Sequence, residues 1–234
     1  MAAVVHPDEV HGRVEGGIDE RTTFDRTNGC EHLTQQVIRV QPGHELERSV
    51  GDAEQEILFV VEGAGELRLN GQVHHLEPDT GAYVLAGERY TVSADERLLL
   101  TSVTAPLQDQ ASPVRKVTVR FADQPELEAS PERSFRYLVN ESAGCLDMTQ
   151  FIGIVQPSKA PFHSHPYDEV GYVIEGLGIA HVDGEQVPLR AGSCFHLAPE
   201  EVHCIENSGA GPMRILGVFH PSGSPADRTY QHNN

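Results

Sequence analysis

One apolar phrase occurs twice in this chain, and it limits the fold more than any other feature. Glu56-Ile57-Leu58-Phe59-Val60-Val61-Glu62-Gly63 recurs as Glu169-Val170-Gly171-Tyr172-Val173-Ile174-Glu175-Gly176. Its surroundings recur as well. Thr34-Gln35 and Val40-Gln41-Pro42 return as Thr149-Gln150 and Val155-Gln156-Pro157, and Asn70-Gly71 returns as Asp183-Gly184. Gly81 and Gly192 are paired as strand openings, with the interval between copies shrinking by a few residues as loops differ. Two long copies are too few for a solenoid and suit a duplicated domain.

Within each copy the apolar runs are short and closely punctuated by turns. Ile57–Val61 closes on Glu62-Gly63, Leu67-Arg68-Leu69 runs into the hairpin signal Asn70-Gly71, and Pro78-Asp79-Thr80-Gly81 turns the chain again. No long stretch holds a 3.6-residue period, so the expected class is all-β, a barrel or sandwich. The expected division is an N-terminal arm over 1–30, a first barrel over 31–107, a linker over 108–133, a second barrel over 134–222 and a polar tail over 223–234. Within the linker, Val114–Phe121 has the character of one further strand.

The 234 residues are ample for a sizeable core. A net charge of −18 and a pI near 5.0 oppose binding of nucleic acid or an anionic membrane face through bulk electrostatics. No apolar run approaches the ~20 residues of a membrane-spanning helix, and the first residues lack the basic and apolar regions of a secretion signal. Cys30, Cys145, Cys194 and Cys204 are scattered without short paired spacing, which suits buried thiols in a reduced, cytoplasmic protein.

The two copies part company in their chemistry. His163-Ser164-His165 places two imidazoles on one side of an extended segment, because strand side chains alternate. Pro166 ends that segment, Glu169 opens the next apolar run and His203 follows further on. Imidazole and carboxylate are the donors a first-row divalent metal takes. Lone histidines such as His6, His11 and His232 are ordinary surface residues. Alternation turns Asp168 away from Glu169 toward solvent, and turns His196 outward if Phe195 and Leu197 pack inward. Phe162 and Tyr167 flank the histidines as pocket-mouth or packing residues, and the parity of His181 is open. Lys159 and Arg190 are the basic residues near these segments in sequence.

These residues resemble the cupin superfamily, specifically a bicupin. Its first motif is matched by His163, His165, Glu169 and Gly176, and its second by Gly192, Ala198-Pro199-Glu200, His203 and Asn207. Pro157 and Glu200 stand where the motifs often carry glycine. The resemblance implies two tandem cupin barrels of the jelly-roll, or double-stranded β-helix, type. It implies that His163, His165, Glu169 and His203 bind one divalent ion (Fe, Mn, Ni, Co or Zn) in the second barrel alone. The first copy keeps Glu56 and Gly63, but Val50 and Asp52 replace the two histidines and Val92 stands near the last. A ligand set of this kind leaves two adjacent coordination positions for a small chelating substrate. The activity implied is an Fe(II)-type dioxygenase, with non-redox isomerase, lyase or hydrolase chemistry at the same metal, or non-enzymatic binding, as alternatives. Glu169 and Tyr167 are the candidate catalytic residues, and a homodimer is expected.

Overall fold

The structure is a computed structural model that describes residues 3–108, 115–227, 229 and 230. It is almost entirely antiparallel β, in two barrels of like construction, as the turn-rich pattern predicts. In the first, the sheet Thr118–Arg120, Thr80–Val84, Glu54–Glu62, Leu98–Pro106, Thr34–Val40, Ile18–Phe24, Arg13–Glu15 faces a smaller one of Glu45–Ser49, Arg89–Ala94, Gly65–Leu69 and Gln72–Leu76. In the second, Val4–Val5, Cys194–Leu197, Asp168–Glu175, Met213–His220, Thr149–Val155, Arg133–Tyr137, Leu127–Ser130 form the large sheet. Glu185–Arg190, Leu177–Val182, His203–Asn207, His163–Ser164 and Thr229–Tyr230 face it.

The repeated phrase is apolar without interruption because its strand is covered on both sides. Leu58 and Val60 point into the first barrel's core, whereas Ile57 and Phe59 join a cluster between the barrels. Val173 likewise faces inward in the second copy, and Val170 and Tyr172 face the junction. The junction is closed by reciprocal bonds, in which Gln35 donates to the Gly171 carbonyl and Gln150 to that of Leu58.

The repeat reaches further than its sequence signal. Val4–Val5, in the stretch read as an arm, pairs with Cys194 and Phe195 of the second barrel. Thr118–Arg120, in the stretch read as a linker, pairs with Thr80–Val84 of the first. Each half therefore lends its leading strand to the other. The strand expected over Val114–Phe121 is realised at Thr118–Arg120 alone among the described residues: residues 115–117 run in without strand pairing, Phe121 opens a 3-10 turn, and Val114 lies outside the described residues. Met1, Ala2 and the tail residues 228 and 231–234, His232 among them, also lie outside.

The strand registers correct two expected equivalences. Glu56 lies opposite Val84 and Glu169 opposite Leu197, so one interval holds across both strands. The turn equivalent to Gly192 is then Asp79, not Gly81, and both adopt a left-handed backbone (φ 88° and 66°). Tyr90 lies opposite Leu69 as His203 lies opposite Val182, so Tyr90, not Val92, occupies the last histidine's place. The interval does not shrink here, because these loops are equal in length.

Gly63 holds φ at 86°, and a Cβ there would run into the Arg97 carbonyl. Gly71 holds a similar φ of 76° in open space. Gly71→Ala is expected to cost about 1 kcal/mol from left-handed strain alone. Gly63→Ala should cost at least about 2–3 kcal/mol, because the chain must also shift. Urea unfolding of the two variants checks the difference, and equal losses would contradict it.

Candidate metal centre

His163, His165, Glu169 and His203 all line one cavity inside the second barrel, and all four are buried. Two strand pairings bring them there. His163 lies opposite His203 on neighbouring strands, and Glu169 lies on the facing sheet between Leu197 and Phe219. Donor atoms of His165, Glu169 and His203 fall within 4.8 Å of one another. His163 stands beside that group, its ring centroid 4.5 Å from that of His203.

Each imidazole is held in the same way. His163 Nδ1 meets the Pro161 carbonyl at 3.0 Å, His165 Nδ1 that of Tyr167 at 2.9 Å, and His203 Nδ1 that of Glu201 at 2.9 Å. A carbonyl oxygen only accepts, so Nδ1 carries the proton in each ring and Nε2 is the atom left able to ligate. His165 Nε2 meets Glu169 Oε2 at 2.9 Å. Burial works against a charged His165, but the hydrogen bond and charge of Glu169 outweigh it and raise its pKa above the usual value. A protonated His165 thus competes with a cation for Glu169. Three imidazoles with fixed tautomers and one carboxylate, converging in a buried cavity, fit a single divalent ion of the Mn, Fe, Co, Ni or Zn kind.

The cavity is about 80 Å³. That admits a few waters or a molecule of a few non-hydrogen atoms. Phe135, Phe151, Phe219, Ile205 and Leu197 make much of its wall. Tyr167 stacks on His165 at 4.3 Å between centroids and on Phe219 at 4.2 Å. Its ring faces the site while its hydroxyl donates to the Ser224 carbonyl at 2.9 Å. Pro225 adds to the wall, and Thr229–Tyr230 pairs with His163–Ser164. The start of the polar tail thereby lies against the cavity wall.

Arg133 is the cationic side chain of the Lys or Arg kind among the lining residues, and it donates to the Ile205 carbonyl at 2.5 Å. No motif marks it, since it lies thirty residues before His163 at the end of the expected linker. The basic residues that lie nearer in sequence are elsewhere. Lys159 sits 3.8 Å from Glu206 on the outside, and Arg190 is exposed. Phe162 is 41% exposed and packs edge-on against His181, so it neither lines the pocket nor fills the barrel. His181 faces outward to Glu206 at 2.7 Å. Asp168 and His196 do turn away from the cavity, but into the junction between barrels rather than solvent, and both are buried. All four cysteines are free and buried, and neither Cys194 nor Cys204 lines the cavity.

Glu200, where the motif often has glycine, adopts φ 62°, and its N–H donates to the His165 carbonyl at 2.7 Å. Gly87 holds the equivalent turn in the first barrel at φ 74°. There the ligand positions are filled differently. Glu56 receives Arg48 at 2.6 Å and Tyr90 at 2.9 Å, and Ser102 donates to it at 2.5 Å. Arg48 also reaches Glu20 and Gln36. Val50 is part of the apolar core. The first barrel carries an ion-pair network in place of a metal set.

Several known proteins are similar to this chain. A model of the cupin domain matches twice, over residues 36–104 and 151–219. An oxalate-binding protein of Thermotoga maritima is 33% identical over 63 residues, 26% of this chain and 52% of that protein. An uncharacterised protein of Methanocaldococcus jannaschii is 34% identical over 71 residues, 30% of this chain and 57% of its own length. The chain thus spans about half the length of the curated relatives it matches. A Bacillus subtilis oxalate decarboxylase variant superposes with a TM-score of 0.80 at 16% identity, covering 98% of this chain and 79% of that one. Manganese(II) centres are described for the Bacillus subtilis oxalate decarboxylase, and another structure of that enzyme superposes with a TM-score of 0.79 at 16% identity, covering the same shares. The duplicated sequence, the paired barrels and the two domain matches lead to one assignment: this chain belongs to the cupin family and is a bicupin.

Proposed function

We propose that the second barrel holds one divalent metal on His163, His165, Glu169 and His203 and binds a small carboxylate, of the oxalate kind, against it and Arg133. The observation that carries this is Arg133 on the wall of the same 80 Å³ cavity as the imidazoles and Glu169. A guanidinium offers paired N–H groups that match a carboxylate. Apolar walls exclude water and strengthen that pairing. The cavity admits only a small molecule, and a dicarboxylate could meet the arginine at one end and chelate at the other. When bound, the metal supplies Lewis acidity that polarises the chelated carboxylate.

For the reaction, lyase chemistry is better supported than the Fe(II)-type dioxygenase that the resemblance implied, because solved structures of like fold are oxalate decarboxylases. Loss of CO2 leaves an electron pair on carbon that a proton must meet. Glu169, the carboxyl side chain among the lining residues and the catalytic candidate of the sequence, is taken up as a ligand in this reading, so the proton that meets that pair is the one a singly protonated substrate brings with it. Tyr167 serves as wall and as a brace for His165, since its hydroxyl is engaged by Ser224.

Calorimetric titration of manganese-loaded protein with oxalate tests the binding. The expected result is saturable one-to-one binding, weakened at least about tenfold by Arg133→Leu, a loss of about 1.4 kcal/mol or more. Arg133→Lys should fall between, keeping charge without the paired geometry. Equal affinity in all three would remove Arg133 from the site. Release of CO2 without consumption of O2 marks a lyase, O2 consumption an oxidoreductase, and unchanged oxalate a binding protein.

A further inference from the structure

The two halves meet through two small buried clusters that occupy equivalent places but differ in chemistry. Each begins with a capped turn. Asp25 caps Arg26–Asn28, which ends on Gly29 (φ 94°), and Cys30 follows. Asn140 caps Glu141–Ala143, which ends on Gly144 (φ 90°), and Cys145 follows. Each cysteine is buried against the strands of the other half.

Cys145 meets Gln55 and Tyr83. Tyr83 donates to Gln55 Oε1 at 2.8 Å, the Cys145 thiol points to the same oxygen at 3.6 Å, and Gln55 Nε2 donates to Asp147 at 2.9 Å. This trio is joined by hydrogen bonds between uncharged groups. It shows what the fold itself requires at such a place.

At the equivalent place, Asp168 stands for Gln55 and His196 for Tyr83, each one residue before the matched pairs Glu169–Leu197 and Glu56–Val84. Cys30 stands for Cys145. One donor atom from each of Cys30, Asp168 and His196 lies within 4.8 Å of the other two. His196 Nε2 meets Asp168 Oδ1 at 2.9 Å. Asp168 is 1% exposed, and its Oδ2 is buried with no hydrogen-bond partner among the described residues. A buried carboxylate oxygen left unpaired is costly, and a neutral amide at the same place in the other copy avoids the cost.

Thiolate, imidazole and carboxylate together are a zinc-type donor set. We infer that Cys30, Asp168 and His196 form a second, structural site for a zinc-type divalent ion, pinning the first half's capped turn to the second barrel. The ion gives the carboxylate a partner that the protein does not. Coordination displaces the thiol proton to solvent, so the site fills as the halves close on each other. A fourth coordination position falls to a water or a backbone oxygen. The cluster is separate from the cavity, since Asp168 and Glu169 are neighbours that point to opposite faces of one strand.

Cobalt distinguishes the two sites, because the cavity set contains no sulfur. Full-length chain produced in cobalt-supplemented medium should carry two equivalents and show thiolate-to-cobalt charge-transfer absorption. Cys30→Ser should abolish that absorption and lose one equivalent. His196→Gln should also lose an equivalent. His203→Ala should lose one equivalent yet keep the absorption. If Cys30→Ser does not fold, the spectra of the unaltered chain and of His203→Ala still decide. Cobalt-loaded unaltered chain without thiolate absorption overturns the second site, as does a Cys30→Ser variant that keeps both ions. A single equivalent with thiolate absorption, indifferent to His203→Ala, upholds this site and removes the cavity one.

Discussion

His203→Ala is expected to give a folded chain whose cavity no longer retains a divalent ion through dialysis. His203 is 2% exposed, and its Nδ1 is fixed on the Glu201 carbonyl, so its Nε2 is already aimed when an ion arrives. Losing an outer partner of a metal-bound histidine weakens affinity about 10–100-fold, and losing the histidine itself should exceed that. The strand is held by its neighbours through main-chain pairing, to Val182 on one side and His163 on the other, which the substitution leaves in place. Metal content by mass spectrometry, with circular dichroism to show the fold, makes the comparison. An ion retained at unaltered affinity would remove the metal centre, and with it the chelated carboxylate.

Glu56→Ala should do the opposite, lowering stability while leaving metal content alone. Glu56 is 4% exposed and is the acceptor for Arg48, Tyr90 and Ser102 at once. Its removal leaves a largely buried guanidinium without its main counter-charge, a loss of about 3–5 kcal/mol in comparable pairs. The Glu20 carboxylate, 2.9 Å from Arg48, should hold the effect toward the lower figure. Replacing both partners, as in Arg48→Met with Glu56→Leu, should restore part of the stability, because the Arg48–Glu56 pair leaves together and only the Glu20 carboxylate, 19% exposed, loses its partner. Denaturant unfolding of the two variants reports the contrast. A metal equivalent lost with Glu56 would show that the first barrel also coordinates.

Both expectations start from the same position in the two copies, and the sequence shows why they diverge. Glu56 and Glu169 open the same phrase, but only the second follows a His-X-His segment. The all-β class, the duplication and the bicupin resemblance were all legible, because short alternating runs and Asn-Gly or Asp-Gly turns are local signals. The cavity histidines were legible because alternation places every second strand residue on one face.

Alternation tells which face a side chain takes, not what covers that face. Alternation predicts a solvated Asp168 because it turns from Glu169, yet the opposite face of its strand is the junction with the other barrel. Tyr90 as the counterpart of His203 required the register across three strands. Arg133 reaches the cavity by pairing between Val155 and the strand Arg133–Tyr137, a contact no motif records.

What the chain's sequence determined by itself was the β class, the doubling and which copy carries imidazoles, since these are written in neighbours along the chain. Only the tertiary structure decided that each half lends a strand to the other, that Arg133 borders the cavity, and that Cys30 meets Asp168 and His196. Those meetings join residues distant in sequence through sheet register and barrel-to-barrel packing, and such long-range pairing leaves no periodic trace in the residues that make it.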